Sequence, residues 1–122
     1  MTPRAKVNVR RIYEDTGHDD GMRVLVDRLW PRGMSKERAG LDHWARDIAP
    51  SGRLRRWYGH RPERFPEFKR RYQDELVRHP ANGALEALRD AAGSTTLTLL
   101  TATRNLELSA ATVVAEMLRQ GT

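Results

Sequence analysis

Two short segments of this chain concentrate side chains that can do chemistry. Asp27, Arg28, Trp30, Arg32 and Gly33 follow one apolar run, and Arg104, Asn105 and Ser109 follow another. Arginine grips phosphate or carboxylate oxygens with a planar two-pronged fork that lysine lacks. A carboxylate such as Asp27 then serves as a base, or as a brace that orients the arginines beside it. A serine at a helix N-terminus sets its hydroxyl beside free backbone N–H groups, where anions are favoured. The pattern predicts an anion site: Arg28, Arg32, Arg104 and Asn105 bind, Trp30 and Gly33 line, and Asp27 and Ser109 are candidate catalytic groups. The same residues also admit a structural reading, with Asp27 and Arg28 as an ion pair, Trp30 as a core plug and Ser109 as a helix cap. The spacing matches neither a P-loop nor a dinucleotide fingerprint.

The two segments meet only if the strands before them are parallel neighbours. Val7, Val9 and Ile12 alternate with polar residues, which predicts a half-buried strand near 5–12. Residues 13–21 are polar and glycine-containing, and read as a loop. The continuous apolar run near 23–27 is the kind buried on both faces of a parallel sheet. The β-branched and apolar stretch 95–102 is the clearest strand. Between them, Ser35 caps a helical turn at 36–40, and Leu41, Trp44 and Ile48 predict a short helix over 41–48. Ser51 caps a helix burying Leu54 with Trp57 or Tyr58, and Phe65, Phe68, Tyr72 and Leu76 form one stripe within 62–79. Asn82 opens another helix that ends near Gly93, and a last one runs from 109 to 119. The expected architecture is one α/β domain over 1–122, with about three mostly parallel strands and five or six helices. Ligands in such sheets bind beyond the carboxyl ends of the strands.

The composition narrows the function classes. The 122 residues contain no cysteine, which removes thiolate zinc sites, iron–sulfur clusters and thiol nucleophiles. No run approaches the roughly 20 apolar residues of a membrane span, and no apolar segment follows the charged start, so a cytoplasmic protein with no membrane partner is expected. The net charge is +6, and 19 of the 22 basic residues are arginine. Residues 1–61 hold 14 basic and 8 acidic side chains, whereas 62–122 hold 8 of each. The excess lies in the first half, and it suits an anionic partner. Within 53–71, eight basic residues interleave with Trp57, Tyr58 and Phe65, a pattern compatible with a nucleic-acid surface and equally with a solvated helix face.

The segment Asp20-Gly-Met-Arg-Val-Leu-Val-Asp-Arg-Leu-Trp-Pro-Arg-Gly33 closely resembles the signature of the YeaO-like bacterial proteins, a domain-of-unknown-function family. The resemblance continues through Ala49-Pro-Ser51, Leu54-Arg-Arg-Trp57, His60, Phe68 to Leu76 and Leu97 to Ala102, and so covers nearly the whole chain. It implies a single α/β domain and no assigned activity. His60, beside Gly59 and matching the family pattern, is a further candidate catalytic group. Related sequences often carry His-Asn where this chain has Leu108 and Ser109, so any chemistry of that pair is either absent here or taken over by Ser109.

His43 and His79 read as surface residues. His18 shares an acidic loop with Asp15, Asp19 and Asp20, which lacks the regular spacing of a calcium loop, and no histidine pair has zinc spacing. No metal and no cofactor are expected. The leading reading is a small α/β protein with an arginine-rich cleft for a phosphate or nucleotide-like anion, with or without catalysis. The alternatives are a nucleic-acid-binding module built on 53–71 and a non-catalytic protein-interaction domain.

Overall fold

Strand β4, Leu97–Thr101, is buried along its whole length, as its apolar and β-branched sequence requires of a strand with neighbours on both edges. In the computed structural model, which describes residues 6–120, it runs between β1 (Val7–Arg11) and β2 (Met22–Leu25). A two-residue strand β3 (His43–Trp44) completes a four-stranded sheet of order β1-β4-β2-β3. Every pairing is parallel, with Val9 opposite Leu99, Val24 opposite Leu99, and Leu25 opposite both Leu100 and Trp44. The expected strands are therefore present within one or two residues of their expected ends. Residue 5, at the start of the first, lies outside the described residues.

The segment 41–48 corrects the sequence reading. It is not a helix: His43–Trp44 pairs with β2, and a single 3-10 turn follows at Arg46–Ile48. The helical spacing of Leu41, Trp44 and Ile48 has a different origin. Leu41 and Trp44 pack with Leu25 and Leu100 on one face of the sheet, while Ile48 joins the core on the other. One segment crossing the sheet edge thus mimics a single apolar helix face.

Among the described residues five α-helices are present: α1 (Lys36–Ala39), α2 (Gly52–Tyr58), α3 (Phe65–Leu76), α4 (Ala81–Ala92) and α5 (Ala110–Gln120). Ser35 and Ser51 accept from the backbone N–H of Arg38 and Leu54, the capping bonds expected of serine just before a helix. Pro62 opens a 3-10 turn at Pro62–Arg64 that leads into α3, and Pro66 sits in the first turn of α3, where a missing N–H costs nothing. The Phe65, Phe68, Tyr72 and Leu76 stripe belongs to the core that α3 shares with α2, α4 and α5, with Phe68, Tyr72 and Leu76 fully buried.

Alternation along the strands divides the core in two. Val24, Val26, Leu97 and Leu99 face the larger cluster, roofed by α2 to α5. Ile12, Leu25 and Leu100 face a smaller cluster with Met34, Ala39, Trp30 and Trp44. That second face also holds the ion pair Arg23–Asp20, at 2.5 Å and with both side chains buried.

Candidate functional site

The carboxyl ends of β2 and β4 are joined by one side chain. Asp27, two residues past β2, accepts from the Thr101 hydroxyl and from the Ala102 N–H, each at 2.7 Å. Burial pushes the Asp27 carboxyl above its ordinary value, against the pull of these two bonds and of His60 nearby. The Asp27 carbonyl accepts from Trp44 Nε1 at 2.7 Å, which ties the same point to β3. Beyond it, Trp30 Nε1 donates to the Met34 carbonyl at 2.6 Å while the Trp30 ring meets Trp44 edge-on at 5.5 Å. Tyr13 closes the loop from the other side, donating to the Arg32 carbonyl at 2.9 Å. Residues 27–34 are thus held at several points, and Leu29 between them is 71% exposed.

A cavity of about 670 Å³ opens above this junction. Arg28, Arg32, Trp30, His60 and Ser109 all line it with Asp27, so most of the expected site is brought together. Arg104, Asn105 and Gly33 are not among the lining residues. Asn105 instead caps the 3-10 turn Leu106–Leu108 by accepting from Glu107 N–H, and Arg104 is exposed on the preceding turn. The reason is the length of that turn, which carries the chain over the sheet end before α5 begins.

Two arginines that the basic run concealed take their place. Gly52, Arg55 and Arg56 occupy positions i, i+3 and i+4 of α2, hence one face of the helix, and all three line the cavity. A Cβ at Gly52 would lie 3.0 Å from Arg56 Nη1 and 3.7 Å from Arg55 Nη2, so both guanidinium groups reach over the glycine. Arg55 Nε is buried with no hydrogen-bond partner. The 52/55/56 spacing is legible in the sequence once Ser51 is recognised as the cap and Leu54 and Tyr58 as the buried positions.

Glu75 fixes where this face points. Its carboxylate accepts from the Ser51 N–H at 2.8 Å and from the Ser51 hydroxyl at 2.7 Å, fastening the start of α2 to α3. At the far end of α2, Tyr58 stacks on Phe68 with ring centroids 4.2 Å apart and donates to the Leu108 carbonyl at 2.7 Å. His60 follows Gly59 at the rim, exposed and with φ 57, a left-handed conformation that histidine adopts more readily than most residues.

The candidate catalytic groups have structural partners. Ser109 is buried, donates to the Leu106 carbonyl at 2.7 Å, and accepts from Thr112 N–H at 3.3 Å as the cap of α5. Both Asp27 oxygens already accept bonds. His60 is the one of the three that is exposed.

The rest of the basic segment is largely occupied within the protein. Arg70 and Arg71 share Glu67, and their hydrogen bonds hold its carboxyl down to about 2. Lys69 pairs with Glu116 at 2.6 Å. The Trp57 ring lies under Arg71 at 4.4 Å and near Arg64 at 5.1 Å. In the acidic loop, Asp20 turns inward to Arg10 and Arg23. Among the described residues no cluster of three His, Asp or Glu side chains is placed to hold a metal, and no helix is long and apolar enough to cross a membrane.

Comparisons with known proteins place this geometry in a family. A family model described as "Inactive DUF488-N3 subclade" matches residues 6–122. An uncharacterised protein of Mycobacterium tuberculosis is 48% identical over 118 residues, covering 97% of this chain and 98% of that one. The uncharacterised protein YeaO of Escherichia coli is 37% identical over 113 residues, covering 93% and 96%. No solved structure matches the chain. With a family match across residues 6–122 and relatives alike over nearly their whole length, the chain belongs to the inactive DUF488-N3 subclade and is a YeaO-like domain of unknown function.

Proposed function

We propose that this protein binds a small anionic molecule in the cavity at the ends of β2 and β4 without transforming it. The observation that carries the reading is an imbalance of charge. Arg28, Arg32, Arg55 and Arg56 line the cavity, and the one carboxylate among the lining residues is Asp27. Among the described residues none of the four arginines forms an ion pair. Guanidinium groups gathered in this way repel one another, and an anion between them relieves the repulsion while accepting charge-assisted hydrogen bonds. Binding without catalysis is favoured because Asp27 braces two loops and Ser109 caps a helix, so neither is free to move a proton. The family description as inactive points the same way.

The test is thermal unfolding at constant ionic strength, with phosphate or sulfate replacing chloride. A ligand that binds only the folded state raises its stability by RT ln(1 + [L]/Kd). The melting temperature should rise with phosphate and stay flat in chloride. Arg32→Ala and Arg55→Gln should each abolish the rise and leave the melting temperature in chloride nearly unchanged. Equal stabilisation of parent and variants, or none in either, overturns the reading.

A further inference from the structure

Resting on that reading, we infer that the natural ligand is a phosphate monoester with an aromatic body, and not a sugar phosphate. The cavity is open at a charged rim, and its deeper lining includes apolar residues. Arg28, Arg32, Arg56 and His60 are exposed at its mouth, whereas Val26, Pro50, Tyr58 and Phe68 are buried beneath. Four arginines against a single carboxylate match a dianion better than a monoanion, and a phosphate monoester is mostly dianionic at neutral pH. The volume of about 670 Å³ lies within the range of roughly 300–1,000 Å³ that accommodates a whole organic ligand, far more than phosphate alone occupies.

The floor decides what the body must be. Its polar side chains are already committed inside the protein: Tyr58 to the Leu108 carbonyl, Ser109 to the Leu106 carbonyl, Trp30 to the Met34 carbonyl, and Asp27 to Thr101 and Ala102. Among the described lining residues below the exposed rim, the Thr103 hydroxyl and the buried Arg55 Nε are the side-chain groups left uncommitted. A sugar would bring several hydroxyl groups into a space with almost no partners for them, and each one left unsatisfied is costly. An aromatic ring needs no such partners. It would lie among Pro50, Leu108 and the Tyr58–Phe68 stack, gaining the burial of its apolar surface.

The experiment is a ladder of affinities on the full chain, read by calorimetry and by melting temperature. The probes are inorganic phosphate, phenyl phosphate, 1-naphthyl phosphate, glucose 6-phosphate and phenol. Aryl phosphates should bind at least about tenfold more tightly than inorganic phosphate, as burial of a ring predicts. Glucose 6-phosphate should bind no more tightly than inorganic phosphate, and phenol should not bind measurably. Ala110, the first residue of α5, also lines the cavity; Ala110→Leu adds bulk there while keeping all four arginines, and should remove the aryl advantage with little change in inorganic phosphate affinity. The ladder on the parent protein decides even if that variant folds poorly. Aryl phosphates binding no better than inorganic phosphate, or more weakly than glucose 6-phosphate, overturn this inference and leave the anion site standing. Absence of binding by every phosphate overturns both.

Discussion

Asp27 and Thr101 face each other across the β2–β4 seam, carboxylate oxygen to hydroxyl at 2.7 Å, at the last residue of β4 and two residues beyond β2. This bond, with its companion from the Ala102 N–H, is what makes two loops distant in sequence into one wall of the cavity. It also explains why a carboxylate stands among arginines without neutralising them. Asp27 faces the backbone and Thr101, and the four guanidinium groups retain their capacity for a ligand.

Replacing Asp27 by Asn should therefore destabilise the fold, because the amide NH₂ would either face the Ala102 N–H or oblige the Thr101 hydroxyl to turn from donor to acceptor. The expected loss is about 1–3 kcal/mol by denaturant unfolding. The pH dependence has a definite sign. Burial raises the folded-state pKa of Asp27, so the folded protein holds that proton more tightly than the unfolded chain does. Its contribution is greatest below the ordinary carboxylate range and declines as pH rises from there through the folded pKa. Asp27→Asn should remove that decline, and an unchanged pH profile would show that Asp27 does not titrate in this way.

Asp20 has the opposite sign. Its oxygens accept from Arg10 at 2.8 Å, Arg23 at 2.5 Å and the Gly17 N–H at 2.9 Å. Burial alone would raise its pKa, but these bonds together lower it. Its stabilisation is present above the unfolded carboxylate pKa and lost as pH falls through the folded one. Asp20→Asn leaves the buried Arg23 charge uncompensated and should cost roughly 3–5 kcal/mol at neutral pH, with a smaller further loss on acidification than in the parent. Circular dichroism melts between pH 3 and pH 7 would show both effects.

Gly52→Ala separates binding from stability. Alanine is the better helix former by roughly 1 kcal/mol, so the fold should be retained or strengthened. Its Cβ would sit 3.0 Å from Arg56 Nη1 and displace that guanidinium. Stabilisation by phosphate should drop severalfold while the melting temperature in chloride does not fall. Full retention of phosphate binding would mean that Arg56 contributes nothing to the site.

Ser109→Ala tests whether this hydroxyl is a cap or a reacting group. Loss of an N-cap typically costs about 1 kcal/mol. The variant should lose about that much stability and keep its affinity for inorganic phosphate. A large loss of phosphate affinity at unchanged stability would give Ser109 a direct role in binding.

Elements whose signals are local can be read from the residues alone. Ser35 and Ser51 announce helix starts through their own hydroxyls, and Leu97–Thr101 announces a strand by its β-branched and apolar residues. The continuous apolar runs of β2 and β4 also marked strands covered on both faces, while their adjacency was the condition the composite site required and the sheet order meets it. The family signature around residues 20–33 was readable from the chain alone. Other features depended on contacts between distant residues. His43–Trp44 became a strand because the open edge of β2 offered hydrogen bonds that a short helix at 41–48 could not match. Arg104 and Asn105 follow a strand that reaches the site, yet the turn after it carries them past the cavity. That Arg55 and Arg56 share a helix face with Gly52 follows from the Ser51 cap, but nothing in the sequence says where that face points. Only the Glu75–Ser51 clasp and the Tyr58–Phe68 stack, which orient α2, decide that these two face the cavity while Arg70 and Arg71 fold back onto Glu67. Side-chain type is local information, but the direction a helix face points is set by what the helix packs against.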